Sequence, residues 1–231
     1  MTQSTPTFPD TRIFLIRHGQ TEWNTQGIFR GLSDVALSAR GFEQARALGR
    51  YFSKIPLDAI YTSRLKRAQD TAQAIADAQP PGSGEPRQTF GGPPHKVSLV
   101  HVEEGLTDIH RGLWEGLSHE QVQEKYPALY KEWFENPAAV SFPGGESLKN
   151  IQRKACGAFD RISRQADGQT IALVSHHVII RVILCSLLNM DLNRFRQLEV
   201  ETGSITEIRT LYGQRVLFRL NETGHLREIA P

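Results

Sequence analysis

The chain has 231 residues, 39% of them hydrophobic and 23% charged, with a formal net charge of +2. That length supports one sizeable core of ordinary globular composition, an α/β domain with an excursion, and the charge is too mild to argue for a nucleic-acid partner. The longest apolar stretch, Val178 to Leu188, is interrupted by Arg181 and is too short to span a bilayer, so no membrane partner is expected.

Residues 1–11 read as a polar tail without the apolar centre of a signal peptide. Ile13-Phe14-Leu15-Ile16 is a short apolar run that reads as a buried strand and delivers Arg17, His18 and Gly19 to its C-terminal end. Gly19 is expected to let the backbone approach a ligand. Ser38 caps a helix whose inward face is Phe42, Ala45, Leu48, Gly49 and Phe52, and Pro56 stops it. Asp58 to Thr62 is a second strand. Ser63 is the next cap, for a helix from Leu65 to about Ala78 with Ala68, Ala72, Ile75 and Ala76 inward. This alternation of strand and helix predicts a mostly parallel sheet with right-handed crossovers.

Residues 79–96 hold five prolines and four glycines in eighteen positions and support neither a helix nor a central strand. The segment reads as a surface insertion, and it lacks the GxxxxGK[ST] signature of a phosphate-binding loop. Val97 to Val102 is a third strand. About 105–143 is rich in Trp, Tyr and Glu, with short helical pieces over Ser118–Lys125 and Ala128–Phe134, and reads as a small helical cap over the strand ends. Leu148, Ile151, Ala155, Phe159 and Ile162 mark a strong amphipathic helix. Thr170 to Val174 is a fourth buried strand, ending in Ser175-His176-His177, and an apolar helix follows from Val178 to Leu188. Ser204 to Leu220 reads as a hairpin turning at 212–214. It either pairs with a second copy, making a homodimer, or covers its own sheet. With no repeat and no linker, residues 1–231 form a single domain. Cys156 and Cys185 sit in helical patterns and read as buried thiols of a reducing compartment, with the cytoplasm the default.

Two strands of one parallel sheet thus each end in a histidine, His18 and His176. Strand C-termini share an edge, so both imidazoles can face one pocket. Arg17 adjoins the first, and Arg67 lies in the opening turns of the second helix. Guanidiniums and imidazoles without an acidic cluster suit a dianion, phosphate above all, and no His, Cys or Asp spacing suits a metal. A neutral imidazole is a competent nucleophile toward phosphorus, arginines offset the developing charge, and a carboxylic acid protonates the leaving oxygen. Asp108, in Leu-Thr-Asp-Ile-His after the third strand, is placed for that last role.

The blocks LIRHGQTEWN, SRLKRAQDTA, LTDIHRGLWEG, PGGESL and ALVSHH resemble the histidine phosphatase superfamily, the phosphoglycerate mutase-like group, from about Ile13 to Leu226. The resemblance implies a three-layer α/β sandwich with its sheet flanked by helices, and a phosphohistidine intermediate on His18. It also implies a phosphate pocket of Arg17, Arg67 and His176 completed by Asn24, with a substrate-contacting loop at Phe29-Arg30-Gly31, and no cofactor or metal. Two departures stand out. Asp108 is one methylene shorter than the family's usual glutamate, with Glu104 and Glu115 as alternative carboxylates, although Glu115 reads as structural. His177 replaces a usual glycine and either touches substrate or turns to solvent. His110 and Arg111 are placed on the leaving-group side, whereas His95, His101, His119 and His225 read as surface or packing residues.

The activity this implies is hydrolysis of a small phosphorylated metabolite. The alternatives are phosphoryl transfer of the phosphoglycerate mutase type and a catalytically impaired binding or regulatory relative. Against the mutase, Ser118 to Phe142 holds only Lys125 and Lys131 as cations, little with which to grip a substrate carboxylate.

Overall fold

The apolar run that opens the chain forms β1 (Arg12–Arg17), the axis of a six-stranded sheet. A computed structural model provides the coordinates, which describe residues 10–81, 83, 99–211 and 213–229. Most of the tail, most of the Pro/Gly-rich segment, the start of the third predicted strand and Tyr212 of the hairpin turn lie outside these residues. The remaining strands are β2 (Ala59–Thr62), β3 (Val100–Val102), β4 (Thr170–Ser175), β5 (Ile205–Leu211) and β6 (Gln214–Glu222), in the order β3-β2-β4-β1-β5-β6. The first four pair in parallel, and β5 and β6 add an antiparallel hairpin beside β1. Parallel strands carry helices on both faces and are apolar on both. In β1, Ile13 and Leu15 point into one core while Phe14 and Ile16 point into the other.

After a single turn of helix, α1 (Glu22–Thr25), the Phe14 face is covered by α2 (Ala39–Phe52) and α3 (Lys66–Asp77). The short α4 (His119–Lys125) and α5 (Pro127–Glu135) form the cap. The Ile13 face is covered by α6 (Leu148–Gln165) and α7 (His177–Leu187), and Trp114, Val122 and Trp133 of the cap segment join that second core. The layers are helix, sheet, helix. Among the described residues, no helix is long and apolar enough to cross a membrane.

Two local expectations are corrected, and one of the two alternatives for the hairpin is met. Phe42, in the N-terminal turn of α2, is 42% exposed and not inward. Ser63 does not cap α3: Leu65 is the N-cap, and the Ser63 hydroxyl turns toward the strand ends. The hairpin covers its own sheet by pairing β5 with β1, which leaves Val216, Phe218 and Leu220 exposed on the outer strand.

Gly19 serves contact between backbones. A Cβ built there would lie 2.4 Å from the Gly41 carbonyl oxygen, and one on Gly41 would lie 2.0 Å from the Gln20 carbonyl oxygen. The N-terminus of α2 is pressed against the loop after β1, and only hydrogen atoms fit between them. Alanine ordinarily favours a helix interior over glycine. Here Gly41→Ala instead forces the helix off the loop, and we expect a loss of roughly 1–3 kcal/mol. Thermal unfolding would show a lowered midpoint, and an unchanged or raised midpoint would mean that α2 can retreat at no cost.

Candidate active site

The meeting of two histidines follows from strand register. β1 and β4 lie side by side with Arg17 opposite Ser175, so the next residues, His18 and His176, leave the sheet at one level. The His18 amide donates to the Ser175 carbonyl at 3.0 Å, and the two ring centroids are 5.0 Å apart. Both side chains are buried.

The His18 ring is set by its own loop. Nδ1 lies 2.6 Å from the Gly19 carbonyl oxygen. A carbonyl only accepts, so Nδ1 carries the hydrogen and Nε2 keeps its lone pair. The same loop is tied to α3, where the Gly19 amide donates to the Thr71 hydroxyl at 3.1 Å. Burial, then the neighbouring His176 ring and the cations of Arg67 and Arg17, hold His18 well below the ordinary imidazole value, so the ring is neutral at pH 7. His176 is held low by burial and then by Arg67 and Arg30. Its Nε2 meets the Ser63 hydroxyl at 2.9 Å.

Arg67 stands fully buried in the first turn of α3. Nη1 donates to the Ser33 carbonyl at 2.8 Å, and Nη2 donates to the Gly31 carbonyl at 2.9 Å and to Asp108 Oδ2 at 3.3 Å. Asp108 Oδ2 is also 3.8 Å from His176 Nδ1, so this aspartate reaches the histidine pair despite its short side chain. The loop before Asp108 is fixed in turn, because the Ser175 hydroxyl donates to the Leu106 carbonyl at 2.6 Å.

The Phe29–Gly31 loop is clamped from the cap. The Phe29 amide donates to the Leu117 carbonyl at 3.0 Å, and the Phe29 carbonyl accepts from Gly116 at 2.9 Å. Gly31 adopts a positive φ of 55°, and a Cβ there would collide with the Glu115 carboxylate at 2.1 Å. Glu115 accepts from the amides of Leu32, Ser33 and Arg111 and from the Ser33 hydroxyl, and it lies 3.8 Å from His110 Nε2. That is the structural part read for it in the sequence. Glu104 is largely exposed and pairs with Arg64.

A cavity of about 300 Å³ is lined by Arg17, Asn24, Arg30, Gly31, Asp108 and His177 among others, while His18, His176 and Arg67 are buried beneath its lining and meet it through Asp108 and Gly31. Arg17 Nη1 donates to the Val200 carbonyl at 2.7 Å, and burial with the nearby Arg30 and Arg181 pulls its pKa to about 9. Burial brings Arg30 to about 10. Both stay cationic at pH 7. The Asn24 side-chain oxygen accepts from Thr21, which leaves its amide nitrogen to the cavity. His177 is half-buried and lines the cavity, and burial followed by Arg17 and Arg181 keeps it neutral.

Two placements depart from expectation. Arg111 lines this cavity, but His110 turns to a neighbouring groove that also holds Glu103 and Glu146. His119, read as a surface or packing residue, lies with its ring tilted 4.5 Å from that of Phe29 and lines the cavity too. The sequence reading gave no part to Arg181 or Arg196, which are also at the wall. Thr71 and Ser63 went unassigned as supports. Thr71 falls in the SRLKRAQDTA block, the one signal that could have found it. Among the described residues, no group of three or more His, Cys, Asp and Glu side chains is placed to hold a metal ion.

Comparison with known proteins bears directly on this geometry. Residues 13–223 match the model of the histidine phosphatase superfamily (branch 1). Phosphoserine phosphatase 1 of Hydrogenobacter thermophilus is 36% identical over 217 residues, 94% of this chain and 95% of that protein. The crystal structure of a phosphoserine phosphatase mutant from Entamoeba histolytica in complex with phosphoserine is 29% identical, with a TM-score of 0.77 over 94% of this chain and 99% of that one. Bacillus stearothermophilus YhfR superposes with a TM-score of 0.81 at 25% identity over the same shares.

The neutral rings of His18, His176 and His177 also set a pH dependence. Their folded pKa values lie below the unfolded value of about 6.5, so below that pH the unfolded chain binds more protons. The sign is therefore destabilising on acidification: stability is full above about pH 6.5 and declines as pH falls through the lower folded values. At pH 6, imidazole ¹⁵N shifts of His18 are expected to report the neutral ring with hydrogen on Nδ1. An imidazolium pattern at that pH would contradict the burial and cation effects assigned here.

Proposed function

We propose that this chain, which belongs to the histidine phosphatase superfamily, hydrolyses a small phosphorylated metabolite by passing the phosphoryl group through His18. Its class of activity is that of a phosphomonoesterase. The observation that carries the residue assignment is the bond from His18 Nδ1 to the Gly19 carbonyl oxygen, which leaves the Nε2 lone pair as the ring's nucleophile beside His176 and the arginines.

The ester's phosphoryl group sits among Arg17, Arg30, Arg67 and the Asn24 amide, whose donors match its equatorial oxygens. His18 Nε2 attacks phosphorus, the P–N bond forms and the bond to the ester oxygen breaks. Asp108 donates the proton that the leaving oxygen takes. Water then attacks the phosphohistidine, Asp108 accepts its proton, and inorganic phosphate leaves. A dianion in the pocket offsets the cations that hold His176 neutral. That ring can then carry a hydrogen toward a phosphoryl oxygen and stabilise the transition state. His177 lies on the leaving-group side and contacts the organic part of the ester. No metal ion takes part in this scheme. The proposed setting is the cytoplasm, where the two free thiols Cys156 and Cys185 stay reduced.

Two measurements test the roles. Acid quench during turnover of a ³²P-labelled ester is expected to trap label on the wild type and none on His18→Ala, whose turnover falls by at least ~10³-fold. A labelled His18→Ala protein would move the nucleophile elsewhere. Asp108→Asn is expected to slow alkyl phosphates by ~10²–10⁴-fold while barely touching p-nitrophenyl phosphate, whose leaving group needs no proton. Equal losses on both substrates would remove Asp108 as the acid.

A further inference from the structure

The second histidine of the pair is held by a residue to which the proposed mechanism gives no task. Ser63 follows β2 directly, and its amide donates to the Val174 carbonyl at 3.1 Å, two residues before His176. Ser63 and His176 are both fully buried. The Ser63 hydroxyl oxygen accepts from the Leu65 amide at 3.2 Å, at the N-cap of α3, and lies 2.9 Å from His176 Nε2. The other ring nitrogen, Nδ1, is shielded from solvent, makes no hydrogen bond and lies 3.8 Å from Asp108 Oδ2.

A neutral imidazole has one N–H to place, and the two sides of this ring place it alike. A hydroxyl offers one hydrogen and two lone pairs, and the Leu65 amide takes one of the lone pairs of Ser63. If Nε2 carried the ring hydrogen, it would take the second. The buried hydroxyl hydrogen would then have no acceptor among the described residues. The bare lone pair of Nδ1 would meanwhile face the carboxylate oxygen that Arg67 holds at 3.3 Å. With the hydrogen on Nδ1 both conflicts vanish: Ser63 donates to Nε2, and the ring N–H faces Asp108. An unmade hydrogen bond on a buried donor makes the other arrangement the costlier one.

We infer that Ser63 is a positioning residue for the phosphoryl step: its hydroxyl fixes the hydrogen of His176 on Nδ1 and so sets this ring as a donor to a phosphoryl oxygen. The inference rests on the phosphomonoesterase reading and names what prepares the second histidine for it. His18 and His176 hold the same tautomer to opposite ends. A carbonyl acceptor takes the Nδ1 hydrogen of His18 and leaves a lone pair on Nε2, whereas a hydroxyl donor takes the Nε2 lone pair of His176 and leaves a hydrogen on Nδ1. One ring is left able to attack and its neighbour able to donate, with 5.0 Å between their centroids. At 3.8 Å, beyond hydrogen-bond range, Asp108 Oδ2 polarises that hydrogen without consuming it. The donor is thus in place before an anion arrives. The same hydroxyl receives the amide that opens α3, the helix whose first turn carries Arg67, so His176 and Arg67 are set from one oxygen.

Imidazole ¹⁵N–¹H spectra of the wild type at pH 7 are expected to show His176 with hydrogen on Nδ1 and a bare Nε2. Hydrogen on Nε2 would overturn the inference, and this readout needs no variant to fold. Ser63→Ala is expected to turn His176 into a mixture of tautomers. It is also expected to lower kcat for an alkyl phosphate by ~10–10²-fold, short of the ~10²–10³-fold lost with an entire oxyanion donor. KM is expected to stay within about threefold, because the donor is aimed at charge that grows in the transition state. Ser63→Thr, which keeps the hydroxyl, is expected to restore the tautomer and most of kcat. An unchanged kcat in Ser63→Ala, or a fall in kcat with the tautomer unmoved, would overturn the positioning role while the phosphatase reading stood. That reading fails separately, if the wild type releases phosphate from neither the alkyl ester nor p-nitrophenyl phosphate.

Discussion

Everything in this pocket depends on β1 and β4 being parallel, adjacent and in register. Parallel neighbours present the same end to the same side, so residues one step past Arg17 and Ser175 emerge together. A one-residue slip would send one histidine to the opposite face of the sheet and leave two unrelated imidazoles. Register is held where slippage costs most. Ile13, Leu15, Ile171 and Leu173 fill one core while Phe14, Ile16, Ala172 and Val174 fill the other. Reversing those sets would leave both cores misfilled. The same burial that stabilises the domain thus aligns the two rings, and the geometry of the histidine pair comes from apolar packing a few residues away.

A second constraint is electrostatic. Arg17, Arg30, Arg67 and Arg111 converge, with Asp108 the carboxylate among them that Arg67 holds. This field has two consequences with one cause. It offers an unneutralised site to a dianion, and it adds to burial, the larger cause, in keeping the nearby imidazoles uncharged, so the lone pair that the proposed attack uses is not lost to a proton. A histidine flanked by free carboxylates would be a poorer nucleophile for this purpose. The arrangement burdens folding with like charges at close range, and the large twin cores supply the stability that offsets it.

The fold was legible wherever local pattern and tertiary burial say the same thing. The apolar run of β1, the five-membered stripe of α6 and the two histidines at strand ends all kept the places their sequence implied. What was not legible depends on contacts between distant segments. Gly19 read as room for a ligand because nothing local shows Gly41 arriving from α2. Ser63 read as a cap because Ser before a helix usually is one, while its hydroxyl goes to His176, 113 residues away in sequence. Phe42 fits a helical stripe but lies in the first turn of α2 and stays exposed. Arg196 carries no motif at all. Only the fold shows that its turn closes onto Trp133 and Phe134 of the cap.

Asp108 shows how a departure from a pattern can be absorbed. A side chain shorter by one methylene should leave its carboxyl withdrawn, yet Oδ2 lies 3.3 Å from Arg67 and 3.8 Å from His176. The reach is made up by backbone. The Leu106 carbonyl is drawn to the Ser175 hydroxyl at the end of β4, which pulls the loop carrying Asp108 over the strand ends. Asp108 Oδ1 meanwhile accepts from the Ile109 amide at 3.0 Å, which fixes the carboxyl's rotation and turns Oδ2 to the pocket. Arg67 then links this carboxyl to the Gly31 carbonyl of the substrate loop through the same Nη2. In the mechanism proposed above, a phosphoryl group that draws on Arg67 competes with Asp108 and the Gly31 carbonyl for the same guanidinium, so anion binding and the position of the Asp108 carboxyl are linked through one side chain.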